Sequence, residues 1–213
     1  MSTPDPWADA QRLEGWAGEI RVNMIRAAAL VAFYGHHLVN VYLLRDDPSL
    51  RGQFHAVVTG VVLVWAFIIL ALHLCLTRRY VPPALKFVST GADLLLITAM
   101  LMLTGEGPRS PLVLLYFLVI ASAPLRLSLP LVYLATLGAM AASVALVGFQ
   151  YFILIGPSSY YDDAHIPDRV AHPAQIIFLL ALGAAGLLAG QMVRQARRLV
   201  EGYTVAVDEV QEN

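Results

Sequence analysis

An ionisable side chain inside an apolar stretch is where chemistry in this chain would start, and Asp93 is one, preceded by Gly91-Ala92 and followed by Leu94-Leu95-Leu96. A carboxylate at the centre of a membrane helix costs about 2.5 to 3.5 kcal/mol to insert, which makes it a functional hypothesis by default. Histidines recur in the neighbouring apolar stretches: His36 and His37, closely followed by Asn40, and His73. At 1.5 Å per helical residue, Asp93 lies about 10 Å above Lys86, His73 about 7 Å above Arg78 and His36 about 15 Å above Arg26. These depths bring the side chains within reach of one another. The expected site is a buried polar cluster of Asp93 with His73, His36 or His37, and Asn40. A nearby carboxylate favours the charged imidazole while burial disfavours it, so the cluster would either titrate near neutral pH or act as a static hydrogen-bonded pin of helix register.

A second set, His55, His165 and His172 with Asp162 and Asp163, would gather on the opposite side of the membrane as an outer ligand or metal site. None of these residues has metal-motif spacing, such as two histidines four apart on a helix, so solvated loop charge is the competing reading. Haem ligation needs histidines at matched depths on facing helices. Here only His36 or His37 with His73 are buried, offset by about 7 Å or more. No cofactor is therefore expected, with haem or a metal ion as the alternative. Cys75 has no cysteine partner, which leaves neither a disulfide nor a cysteine metal site. Ser110 and Ser122 lack a histidine–acid context and no phosphate-binding loop is present, so no enzymatic activity of the chain's own is expected.

The elements that must position these residues are membrane helices. Only 14% of the chain is charged and 58% is hydrophobic, with mean hydropathy +0.67, against about 25% charged in soluble domains. A net charge of −1 gives no field that would attract nucleic acid. Six apolar stretches approach the length needed for a roughly 30 Å core: 24–44, 54–76, 85–104, 111–128, 131–155 and 174–193. Turn residues separate them, among them Asp47-Pro48, Pro82-Pro83, Gly156-Pro157 and His172-Pro173. With both termini inside, Arg12, Arg21, Arg26, Arg78, Arg79, Lys86, Arg126, Arg194, Arg197 and Arg198 lie on the inner side. They outnumber Arg45, Arg51, Arg109 and Arg169 outside, as the positive-inside rule requires.

The expected architecture is thus all-α: a six-helix transmembrane domain over 22–193, a cytoplasmic segment 1–21 and a cytoplasmic helical tail 194–213. Acidic residues in 1–21 argue against a cleavable signal peptide, and Trp7, Leu13, Trp16 and Ile20 suit a short interfacial helix. The preference for arginine over lysine and the abundance of alanine point to a GC-rich bacterial genome and its inner membrane.

From 183 to 210 the last apolar stretch passes through Arg194, Arg197 and Arg198 without losing its periodicity. Gly186, Val193, Val200, Tyr203 and Val207 lie on one three–four spaced face, the seam of a coiled coil leading from membrane to solvent. Gly202 weakens this helix by about 1 kcal/mol, and a plain basic anchor with a frayed tail is the competing reading. Gly186 and Gly190, and the stripe Ala135, Ala139 and Ala142, are small residues at helix-packing spacing, suited to packing within the bundle or to self-association.

Asp93 in its Gly91-Ala92-Asp93-Leu94-Leu95-Leu96 setting, then Thr104-Gly105-Glu106-Gly107-Pro108-Arg109-Ser110-Pro111, then Leu115-Tyr116-Phe117, resembles the six-helix N-terminal region of bacterial histidine kinases and class III nucleotide cyclases. In that family the last span continues as a signalling helix. The resemblance covers residues 20 to 205 and implies a sensory or regulatory membrane module. Such a module would pass a membrane-phase, small-molecule or proton signal to a separate cytoplasmic kinase or cyclase, or to another membrane subunit, as a homodimer. The phosphoacceptor, ATP-binding and cyclase regions of the family have no counterpart in these residues. The alternative is a haem- or metal-binding, or assembly, subunit of a membrane redox complex.

Overall fold

The computed structural model describes residues 6–39, 41–42, 48–78, 82, 84–103, 107–150 and 172–212. Asn40, Asp162, Asp163 and His165 lie outside them. The side chains of His172, Val200, Tyr203 and Val207 are likewise outside the described set, although their backbone is helical. Six α-helices make up the described fold: α1 (Pro6–Val39), α2 (Pro48–Thr77), α3 (Leu85–Leu103), α4 (Leu115–Ser122), α5 (Leu129–Phe149) and α6 (His172–Glu212). Four stretches are long and apolar enough to cross a membrane, namely His55–Thr77, Leu85–Leu103, Leu129–Phe149 and Ala174–Leu199. Large apolar side chains such as Leu63, Phe67, Leu95, Leu137 and Leu187 are exposed on their outer faces. In a membrane that surface meets lipid; in water it would be a large unpaired patch.

The shorter apolar stretch, Pro111–Arg126, is built differently from its neighbours. Four residues of 3₁₀ helix (Pro111–Leu114) lead into the eight of α4, and four more (Ala123–Arg126) follow. Ser110 caps the start by accepting from the Leu112 N–H at 3.4 Å, with Pro111 at a position where its missing N–H costs nothing. Pro124 stands at the start of the second 3₁₀ turn. Because a 3₁₀ residue rises about 2.0 Å and an α residue 1.5 Å, the whole stretch reaches about 28 Å. Leu127 then adopts the left-handed conformation, φ 49°, and reverses the chain into α5, whose N-cap is Ser128.

Helix α5 is the centre of the packing. Leu131, Val132, Ala135 and Ala139 are fully buried on it, and the small Ala135 and Ala139 let neighbouring helices approach closely, with α3 and α6 as its main partners. A β-carbon at Gly138 would strike Leu94 of α3, and one at Gly186 of α6 would strike the Thr136 side chain. The Gly186 face is therefore spent inside the bundle, together with Leu182, Ala189 and Val193, all buried. Packing within the bundle, rather than self-association, is what this glycine serves.

Helices α1 and α2 are antiparallel neighbours in a register fixed by side-chain contacts. Trp16 Nε1 donates to the Leu76 carbonyl at 2.9 Å, Asn23 Nδ2 to the Ile69 carbonyl at 3.2 Å, Tyr34 meets Thr59 at 3.2 Å and His37 meets His55 at 3.2 Å. Every step forward on α1 is matched by a step back on α2. Residues 16–37 of α1 accordingly lie beside the apolar His55–Thr77. Helix α1 is unbroken from Pro6 to Val39, so among the described residues no change of secondary structure falls between the expected segment 1–21 and the expected first span.

Candidate functional site

Residues Glu19, Asn23 and Arg26 fall four and then three apart on α1, which puts them on one face, and each is about 95% buried. Facing them on α3 is a stripe of the same spacing: Lys86, Ser89, Thr90 and Asp93. Burying charge in a low-dielectric bundle is costly unless each group finds an opposite charge and hydrogen bonds, and two ion pairs result.

The deeper pair joins α1 to α3. Arg26 Nε donates to Asp93 Oδ2 at 2.6 Å, with side chains 6% and 7% exposed. Asp93 stands about 12 Å along α3 from Leu85. The pair is incomplete, since Arg26 Nη2 and Asp93 Oδ1 make no formed hydrogen bond, and neither does Nε1 of Trp65 on α2, which approaches the Asp93 carboxylate outside good hydrogen-bonding geometry. All three residues border one cavity of about 20 Å³, room for roughly one water-sized group. Its floor is buried: Val22, Arg26, Trp65, Asp93, Ile97 and Val119. Its rim is half-buried and comes from α1 (Ile25, Ala29) and from Leu115, Leu118 and Ser122 of α4. The cavity is thus a cleft opening sideways between α1 and α4.

The shallower pair ties α1 to the turn after α4. Arg126 Nη2 lies 3.1 Å from Glu19 Oε2, while Nη1 donates to Thr90 Oγ1 at 2.7 Å and to the Lys86 carbonyl at 3.1 Å. Arg126 Nη2 also reaches Ser89 Oγ at 3.4 Å. Close approach of α1 to this turn needs Gly18, where a β-carbon would collide with the Leu125 carbonyl. One residue beyond Arg126, the Leu127 carbonyl accepts from Arg197 Nη2 of α6 at 3.0 Å. Polar contacts thus tie α1 and α3 to the Ala123–Arg126 turn, and the residue after that turn to the point where α6 leaves the bundle.

The expected polar cluster is redistributed. Asp93 is buried as anticipated, yet its partner is Arg26, and Trp65 occupies the α2 position beside it. His73 and His36 are exposed on the outer surface, turned away from Asp93. His37 is buried about 16 Å further along α1 from Arg26. There it pairs with His55, a residue expected in the outer set: Nε2 and Nδ1 are 3.2 Å apart and the rings stack at 5.4 Å with an interplanar angle of 6°. Tyr34 stacks on His37 and Tyr42 meets His55 edge-on. Imidazole nitrogens in direct hydrogen-bonding contact do not present the matched, opposed ligands that a haem needs. Among the described residues, no group of three or more His, Cys, Asp or Glu gathers as metal ligands.

Sequence reasoning misses Arg26 and Arg126 because basic residues near the ends of apolar stretches read as membrane flanks, and Glu19 because it falls among the acidic residues of 1–21. The readable signal was the spacing of Glu19, Asn23 and Arg26, which fits a buried stripe better than a solvated segment. Comparison with protein-family models, with curated proteins and with solved structures finds no match for this chain.

Proposed function

We propose that this protein is a sensory or regulatory module of the bacterial inner membrane, with six spans and both termini in the cytoplasm. It takes a membrane-phase signal in the bundle and transmits it through α6 to a cytoplasmic partner. One observation carries the reading: α6 is a single helix from His172 to Glu212, whose inner part is locked against α5 and whose exit is tied to the turn bearing Arg126. A helix held at both places moves as a rod when the turn moves. The six-span count is supported by the α1 register, which lays residues 16–37 beside an apolar span, and by the 28 Å reach of Pro111–Arg126. The kinase or cyclase nature of the partner, and a homodimeric state, follow from the family resemblance.

Val200→Pro tests this directly, because it breaks α6 just beyond the membrane stretch. Co-purification from native membranes identifies the partner, and the variant is expected to lose partner output while the bundle melts at the wild-type temperature. Full output from the Val200→Pro protein would reduce α6 beyond residue 199 to a passive anchor.

A further inference from the structure

We propose that the cleft between α1 and α4 binds the uncharged polar head of a lipid-phase molecule, a hydroxyl or an undissociated carboxyl. Arg26 Nη2 and Trp65 Nε1 donate to the head, and Asp93 Oδ1 accepts from it. The proposal deepens, and rests on, the reading of the bundle as a sensory input, and it names the class of signal.

The ligand class follows from the unused hydrogen-bonding capacity. Three residues at least 94% buried border one cavity, and each carries a buried polar atom with no formed hydrogen bond, two of them donors and one an acceptor. Leaving such atoms unpaired costs about 1 to 3 kcal/mol each, more where charge is involved. An anion would satisfy the donors but face the Asp93 carboxylate, and a cation would face the Arg26 guanidinium. The pair is neutral as a whole, so a charged guest would sit uncompensated in a low-dielectric site. A hydroxyl or a protonated carboxyl offers acceptor and donor together and matches all three atoms. The enclosed volume suits the head alone, while the half-buried apolar rim of Ile25, Ala29, Leu115 and Leu118 leads outward at a depth where α2 and α3 carry exposed apolar side chains. Access by way of the bilayer follows from that opening.

The test uses the full chain in lipid nanodiscs with Trp7→Phe and Trp16→Phe, leaving Trp65 as the sole tryptophan. Decanol, decanoic acid on either side of its titration, and methyl decanoate are compared by Trp65 emission, with decanol repeated at each pH as a control. Decanol and the undissociated acid are expected to give a saturable shift; decanoate and the ester, which lacks a donor, are not. A response to one head but not the other identifies the source as alcohol or acid. Ala29→Phe and Leu118→Phe fill the cleft from opposite rims without removing a polar atom, and each is expected to weaken binding at least about tenfold. Equal responses to decanol and methyl decanoate, no response to any probe, or unchanged binding in a folded rim variant overturns the proposal. Binding here with no partner output would sink the signalling reading alone. Output that persists when these probes fail to bind would sink only the ligand assignment.

Discussion

Arg26 and Asp93 each make the other tolerable, and neither is stable alone in the bundle. Removing one partner of a buried pair strands the other charge, which typically costs about 3 to 5 kcal/mol, while replacing both with apolar side chains of similar size is often neutral or better. Asp93→Asn and Arg26→Met are therefore each expected to lower stability by an amount in that range, measured by chemical unfolding in detergent. The double variant Asp93→Leu/Arg26→Met should recover most of it. Additive losses in the double variant would mean that the two charges stand independently, against the 2.6 Å contact. Asp93 was legible from sequence because an acid inside an apolar run has no solvated explanation. Arg26 was not, since a basic residue near the start of an apolar run reads equally well as a membrane flank. Only the paired helix register decides between them, and register is a tertiary fact.

Helix α1 is held at its inner end by close contact rather than by apolar bulk. Gly18 sits directly against the Leu125 carbonyl, whereas Gly15, less than one turn earlier, has open space where a β-carbon would go. The pair makes an internal control. Gly15→Ala should raise stability by up to about 1 kcal/mol through helix propensity. Gly18→Ala should lower it, because α1 must lift from the turn and stretch the Glu19–Arg126 contact. Thermal unfolding of the two variants side by side reads the difference, and equal shifts would show that α1 does not bear on the turn. Helices α2, α3, α5 and α6 were legible as unbroken apolar runs with Pro or Gly between them. The Pro111–Arg126 stretch was legible as an apolar stretch but not as a 3₁₀–α–3₁₀ composite. Pro111 and Pro124 mark where its geometry changes, yet local sequence does not say whether a proline kinks a helix or tightens it. Likewise, the three–four spacing of Gly186, Ala189 and Val193 revealed a packing face, but that α5 occupies it depends on Thr136 and the small residues of another helix.

For the molecule as a whole, the arrangement of charge bears on orientation. Arg26 and Arg126 are consumed in buried pairs and drop out of the flanking set, leaving Arg12, Arg21, Arg78, Arg79, Lys86, Arg194, Arg197 and Arg198 against Arg45, Arg51, Arg109 and Arg169. The excess still lies on the side shared by the start of α1 and the end of α6, as the proposed cytoplasmic placement of both ends requires. Cys75 is the only native cysteine, and Cys75→Ala gives a background for single-cysteine mapping. In that background Ser158→Cys, between α5 and α6, should react with a membrane-impermeant maleimide in intact cells. Glu201→Cys, beyond the basic cluster, and Pro130→Cys, exposed in the first turn of α5, should react only after permeabilisation. Position 130 is the informative one because it decides whether the composite Pro111–Arg126 stretch crosses. If that stretch returned to the side it came from, position 130 would lie outside, and α5 would run inward to place Ser158 in the cytoplasm. Labelling of Pro130→Cys but not Ser158→Cys in intact cells would therefore remove the six-span arrangement. Labelling of Pro130→Cys only after permeabilisation, with exposure of Ser158→Cys, places the Glu19–Arg126 pair at the cytoplasmic mouth of the bundle, where a tie from Arg197 to Leu127 can bias the helix that leaves it.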